Sequence, residues 1–219
     1  MNNKGDLVSK KYVLEYIRDN LLMCKNGEKK MDNGLFHHNA YYDSVSSIIQ
    51  NGILSLQKLK DLHILEISNQ ALDLADDTSS HINGKDGISF SKVGLTDLYR
   101  DEMEYCPFNP RYVDILVGDI VAHRMSDHYG NEFIARDSVM PDKFRSVDIR
   151  LLEFIYAIEN SRSYFSIEEL IIDFNYLREI ALAMKKRGLD IPLRETSNNQ
   201  GVTLDIDSLA NNKKLILKR

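Results

Sequence analysis

A chain of 219 residues with 28 Lys and Arg against 33 Asp and Glu has a formal net charge of −5, which speaks against a dedicated nucleic-acid binder, since such binding rests on neutralising phosphates. A hydrophobic share of 43% is enough for a buried core, while no apolar run approaches the ~20 residues of a membrane span. Two distant cysteines, Cys24 and Cys106, make no disulfide framework, and the polar first residues lack a signal-peptide core, so a reducing, cytoplasmic setting is expected.

In chain order, residues 9–24 predict an amphipathic helix capped by Ser9, with Tyr12, Val13, Tyr16, Ile17 and Leu21 at helical spacing. Lys25 to Gly34 is a charged loop. Leu35 and Phe36 then run into His37, the end of a short strand. A polar turn follows, and after it a short helix with Ser44 as cap and Val45, Ile48 and Ile49 inward. It stops at Gly52, the residue type that relieves a left-handed cap. Residues 54–76 are leucine-rich and polar by turns, and predict helix for much of their length. Asp76 to Gly87 is a loop by composition.

Gly87 to Ser91 predicts a strand with Ser89 and Ser91 on one face and Ile88 and Phe90 on the other. Val93 to Tyr105 reads as a helix or an active-site loop. Pro107 and Pro110 make the next stretch a turn. Strands are expected at 112–117, 120–125, 131–137 and 144–150, in an antiparallel meander. Leu151 to Glu159 suits a helix. Ser166 and Glu169 form a capping box that opens a helix running to about Arg187, with Ile167, Leu170, Ile171, Phe174, Leu177, Ala181 and Met184 inward and Gly188 at its end. The tail holds a polar loop at 197–201 and two short apolar runs. Three parts are expected: an N-terminal helical segment over 1–33, a core over 34–150 and a C-terminal helical extension over 151–219.

Three segments of that core resemble, in order, the signature strands of the ADP-ribosyltransferase superfamily, in its poly(ADP-ribose) polymerase and diphtheria toxin branch. Leu35-Phe36-His37 through Gly52-Ile53 is similar to a family segment of two apolar residues, a histidine, a small residue and a hydroxyl, then a helix ending in Gly-Leu or Gly-Ile. Gly87-Ile88-Ser89-Phe90 is similar to the family's Gly-Ile-Tyr-Phe strand. Asn131-Glu132-Phe133-Ile134-Ala135 is similar to its Asn-Glu-Tyr-Ile-Val strand, which bears the catalytic glutamate. The resemblance implies an α+β fold with a split, two-sheet antiparallel core flanked by N- and C-terminal helices. It implies an enzyme that uses NAD as co-substrate, releases nicotinamide and passes one ADP-ribose to a macromolecular acceptor.

The residue types fit that chemistry. Breaking the nicotinamide–ribose bond passes through an oxocarbenium-like state, as sugar hydrolysis does. A carboxylate beside the ribose favours the developing positive charge; the resemblance gives this role to Glu132. It gives His37 the other ribose of the dinucleotide and the setting of its pose. His38, through its backbone, Asn39, Ser89, Ser91 and Tyr99 complete the expected NAD site, with Tyr41 and Tyr42 either over the dinucleotide or over the short helix.

The chain departs from the family pattern at three places. His38 replaces the small residue after the histidine. Ser89 stands where the family has its stacking tyrosine, so Tyr99 or Tyr105 would have to supply an aromatic wall. Gly130 lies two residues before Glu132, where arginine-modifying members carry Glu or Gln, which disfavours arginine as acceptor. A protein acceptor is favoured over nucleic acid, with Met125 to Gly130 facing it; no membrane is expected as a partner. His123, Asp127 and His128 match no strong zinc spacing and read as a turn. Two alternatives stay open: a non-catalytic NAD- or protein-binding module on the same fold, and a nucleic-acid-directed relative such as a base-modifying ADP-ribosyltransferase or an RNA 2′-phosphotransferase.

Overall fold

The computed structural model describes residues 10–23, 26–28, 35–69, 71–72, 85–92, 111–124, 132–160, 165–197, 202–212 and 214–215. The expectations for Ser9, Cys24, Val93 to Tyr105 (with Tyr99), Cys106 to Pro110 and Met125 to Gly130 fall outside these residues. For residues 26–28 and Glu132 the description is of the backbone.

The strands are β1 (Asn26–Glu28), β2 (Phe36–Tyr41), β3 (Ile53–Leu54), β4 (Gly87–Ser91), β5 (Tyr112–Val117), β6 (His123–Arg124), β7 (Glu132–Arg136), β8 (Ser138–Val139), β9 (Phe144–Ile149), β10 (Leu193–Glu195) and β11 (Val202–Thr203). The helices are α1 (Lys10–Met23), α2 (Tyr42–Asn51), α3 (Leu56–Asp61), α4 (Leu151–Glu159), α5 (Ile167–Arg187) and α6 (Ile206–Asn211). The fold is mixed α and β, with a mostly antiparallel sheet and flanking helices. The main sheet has nine strands in the order β1-β11-β10-β9-β5-β2-β4-β7-β6; β3 and β8 form a separate pair.

The expected meander does not form. β5 pairs with β2 and β9, and β7 pairs with β4 and β6, so two upstream strands lie between β5 and β7. The reason is burial. From Val113 to Val117 every residue of β5 is buried, so this strand needs a neighbour on each edge and a cover on each face. Of the four strands expected in the meander, only β6 and β7 pair as consecutive neighbours, and β6 comprises two exposed residues of the expected 120–125.

Alternation sorts the residues of the central strands. Val113, Ile115 and Val117 of β5 share a face with Val147 and Ile149 of β9 and Leu193 of β10, and join the helices in one apolar cluster. Asp114 and Leu116 share the other face with Ser146, Asp148 and Arg194. α5 lies mainly against α2 and α6. Its capping box forms as read, with Ser166 Oγ accepting from the Glu169 amide and the Glu169 carboxylate accepting from the Ser166 amide; Gly188 closes it in the left-handed conformation. Arg111 clamps its first turns by donating to Asp173 and Glu169 at 2.8 Å each.

One local expectation is corrected, and one is met over part of its length. Ser44 is not the cap of α2: the helix starts at Tyr42, the N-cap is Tyr41 without a side-chain bond, and Ser44 donates to Asp43. Full burial of Tyr42 in the core starts the helix two residues early. Within the described part of 54–76, helix forms at α3, which Ser55 caps, gives way to turns at 62–65 and returns at residues 69 and 71–72.

Gly52 ends α2 but not as a left-handed cap. Its φ of 93° and ψ of 173° lie in an extended region open to glycine. A Cβ there would meet the Val139 carbonyl oxygen at 2.8 Å. Gly52→Ala is therefore expected to destabilise the protein by about 1–3 kcal/mol, read from the urea midpoint.

β10 also supplies a cap. The Glu195 carboxylate accepts from the amides of Leu151 and Leu152, at 2.9 and 3.3 Å, where Arg150 offers α4 no side-chain cap bond. Its full burial pushes its pKa up to about 7, with the hydrogen bonds from Ser197, Leu152 and Leu151 acting in the opposite sense.

Candidate active site

The sheet has one thin junction. β2 pairs with β5 from Phe36 opposite Val117 to Tyr41 opposite Tyr112, and β4 pairs with β7 from Gly87 opposite Arg136 to Ser91 opposite Glu132. Between β2 and β4 the ladder consists of a single bridge, His37 opposite Ser91. His37, Ser91 and Glu132 thus occupy one register row across three adjacent strands. With strands about 4.8 Å apart, the backbones of His37 and Glu132 lie roughly 10 Å apart.

Other contacts hold the junction. His38 Nδ1 donates to the Ser89 carbonyl at 3.1 Å. Burial lowers the pKa of His38, in keeping with a neutral ring, against the Ser89 bond and the Asp114 charge, which raise it. Position 38 thus holds a side chain that bonds across the seam where the backbone ladder lapses. On the same face, Phe36 sits edge-on to Phe90 and Phe133, at centroid distances of 6.3 and 5.2 Å, and Lys92 Nζ lies 3.8 Å from the Phe36 centroid.

The opposite face carries the polar row. His37 is 8% exposed, and its Nδ1 lies 2.8 Å from Asp114 Oδ2 on β5. A carboxylate accepts, so Nδ1 carries the proton and Nε2 is the ring's remaining polar atom. Arg150 Nη2 lies 3.9 Å from the same oxygen. Asn39 stands opposite Asp114 in register. Asn39 Oδ1 and Asp114 Oδ1 are both buried and meet no donor among the described residues. Further along this face Arg194 holds Asp148 through two bonds, Nε to Oδ1 at 2.8 Å and Nη2 to Oδ2 at 2.6 Å, and donates to Ser146. Burial raises the pKa of Asp148, and Arg194 pulls it back.

The candidate residues therefore divide. His37 and Asn39 share a face with Asp114, and alternation puts Ser89 and Ser91 of β4 in register with them, Ser91 opposite His37. The His38 ring faces the other way, toward Phe90. Tyr42 belongs to the core, while Tyr41 is exposed and stacks on Tyr112, their hydroxyls 2.8 Å apart. Asp114 and Arg150 were missed. A lone Asp amid Val113, Ile115, Leu116 and Val117 was the available sign, since a charge inside a strand buried on both faces needs a partner.

No family model matches the chain, and no curated protein matches it. Among solved structures it is similar to Thermosipho africanus DarTG in complex with ADP-ribose, at 12% identity and a TM-score of 0.35, over 58% of this chain and 48% of that one. The chain spans about half the length of that structure's chain. Among the described residues no helix is long and apolar enough to cross a membrane, and no His, Cys, Asp and Glu cluster is arranged to hold a metal ion.

Proposed function

We propose that this protein is an NAD-dependent mono-ADP-ribosyltransferase on a split-sheet fold of that superfamily, with a protein as the acceptor. The observation that carries the reading is the register row of His37, Ser91 and Glu132 at the one-bridge junction. The three sequence segments with family resemblance converge there, although more than 90 residues separate the first from the last. Glu132 stabilises the oxocarbenium-like ribose as nicotinamide leaves. His37 and Asn39 hold the adenosine side, and Ser89 and Ser91 line the floor between. The core over 34–150 carries this chemistry, and the C-terminal helices brace it.

A second reading, an NAD-binding module without turnover, has one observation in its favour: Ser89 stands where an aromatic wall is expected, and its carbonyl already takes the His38 proton. Incubation with adenylate-labelled NAD and separate pools of protein, DNA and RNA tells the readings apart. The expected result is nicotinamide release with label on protein. Label on nucleic acid alone replaces the acceptor. ADP-ribose binding without NAD consumption establishes the second reading, and neither binding nor consumption overturns both.

A further inference from the structure

We infer that Glu195 and Ser197, far downstream of the 34–150 core, are positioning residues for His37. They pin the backbone on both sides of Arg150 and so set the guanidinium that faces Asp114, the residue holding the His37 ring. The inference rests on the reading of His37 as the anchor for the dinucleotide.

The first amides of an α-helix have no partner inside it, and a Ser, Thr, Asp or Asn at the N-cap accepts from one of them. α4 has Arg150 at that position, a side chain with no acceptor. Its cap comes instead from residues more than 40 positions downstream. Glu195 takes the amides of Leu151 and Leu152, and Ser197 Oγ takes that of Glu153 at 3.0 Å. Ser197 in turn donates to Glu195 through its amide, at 2.9 Å, and through its hydroxyl. On the other side of Arg150, the Ile149 carbonyl accepts from the Thr196 amide at 2.9 Å. The backbone of Arg150 is thus held before and after by one run, Glu195 to Ser197.

The clamp and its effect fall on opposite faces of the sheet. Glu195 is in register with Ile149 on the core face, where α4 begins, while Arg194 and Asp148 point to the polar face. Arg150 reaches that polar face. It is 5% exposed, its Nη2 lies 3.9 Å from Asp114 Oδ2, and its Nη1 is buried as well. The same Asp114 oxygen lies 2.8 Å from His37 Nδ1. A Ser or Asp at position 150 would cap α4 from its own place and leave no cation beside Asp114. A cap supplied from β10 frees the position for an arginine. The guanidinium limits where the Asp114 carboxylate can lie, and the carboxylate decides which ring nitrogen of His37 carries the proton. A ring that must meet a ligand in one pose needs neighbours that lock it in this way.

The test follows the His37 ring by proton–nitrogen NMR in the ligand-free full chain, at about pH 8, above the pKa of about 7 that burial gives Glu195. Calorimetric binding of ADP-ribose is read alongside. The wild type is expected to show one ring form, with the proton on Nδ1. Glu195→Ala is expected to give a mixture of two ring forms and to weaken ADP-ribose binding about tenfold. Ser166→Ala removes the side-chain cap of α5 and is expected to change neither reading, so that loss of a helix cap as such is not the cause. An unmoved ring in folded Glu195→Ala, or an equal change in Ser166→Ala, overturns the inference. Should Glu195→Ala fail to fold, Ser197→Ala decides: a smaller change in the same direction, about threefold in affinity, is expected, and an unmoved ring overturns the inference. A changed ring with unchanged affinity overturns it together with the reading of His37 as anchor. A wild type that binds no ADP-ribose and consumes no NAD overturns the proposed function, while the ring still shows whether the clamp reaches His37.

Discussion

Glu132→Gln is expected to lower the rate of nicotinamide release from NAD by at least about a hundredfold, while affinity for ADP-ribose changes by only a few fold. The substitution keeps the shape of the side chain and removes its charge. The bond to nicotinamide breaks as positive charge builds on the ribose, so a carboxylate acts far more on the transition state than on the bound dinucleotide. An amide offers no comparable field. The backbone of Glu132 pairs with Ser91, and that pairing does not depend on the charge at the end of the side chain. Rate and affinity are read separately, with circular dichroism as the check on folding. Full turnover in the variant would remove Glu132 from the chemistry.

The second large effect falls on stability. Arg194→Met is expected to cost about 3–5 kcal/mol, because it leaves the Asp148 carboxylate buried without its cation. Asp148 is 8% exposed, and its pKa is already raised by burial against the pull of Arg194. Without the guanidinium the group can stay in place only by taking a proton. Adding Asp148→Leu to Arg194→Met is expected to restore most of the loss, since a buried pair replaced by apolar side chains is often neutral. Urea unfolding of the wild type and the two variants checks this. A single variant as stable as the wild type would show that solvent reaches the pair.

Elements that rest on local rules could be read directly. The Ser166–Glu169 capping box, the left-handed Gly188, the bounds of β4 and β5 and the alternation of Ser89 and Ser91 all follow from backbone chemistry within a few residues. Strand order could not be read in this way. Nothing near Tyr112 to Val117 announces that its partners are Phe36–Tyr41 and Phe144–Ile149, because pairing over such separations is set by burial on both faces. Leu193-Arg194-Glu195 was invisible as a strand for a related reason. Two of its three residues are charged, and they tolerate burial only because Asp148, Ser146 and the start of α4 receive them. At the candidate site, no local pattern in the sequence puts His37, Ser91 and Glu132 in one row; the pairing of β2, β4 and β7 does. Asp114 escaped the sequence reading, since charge within a strand reads as a solvent face until the opposite strand is known.

The edge strand β1, at residues 26–28, closes against β11 at 202–203, and β10 must lie beside β9 before Glu195 can seat the start of α4. On the ribosome, residues 26–28 therefore stay without their strand partner until residues 202–203 have emerged. The sheet is closed by contacts between segments far apart in the sequence, a topology that slows folding relative to one built from local pairings.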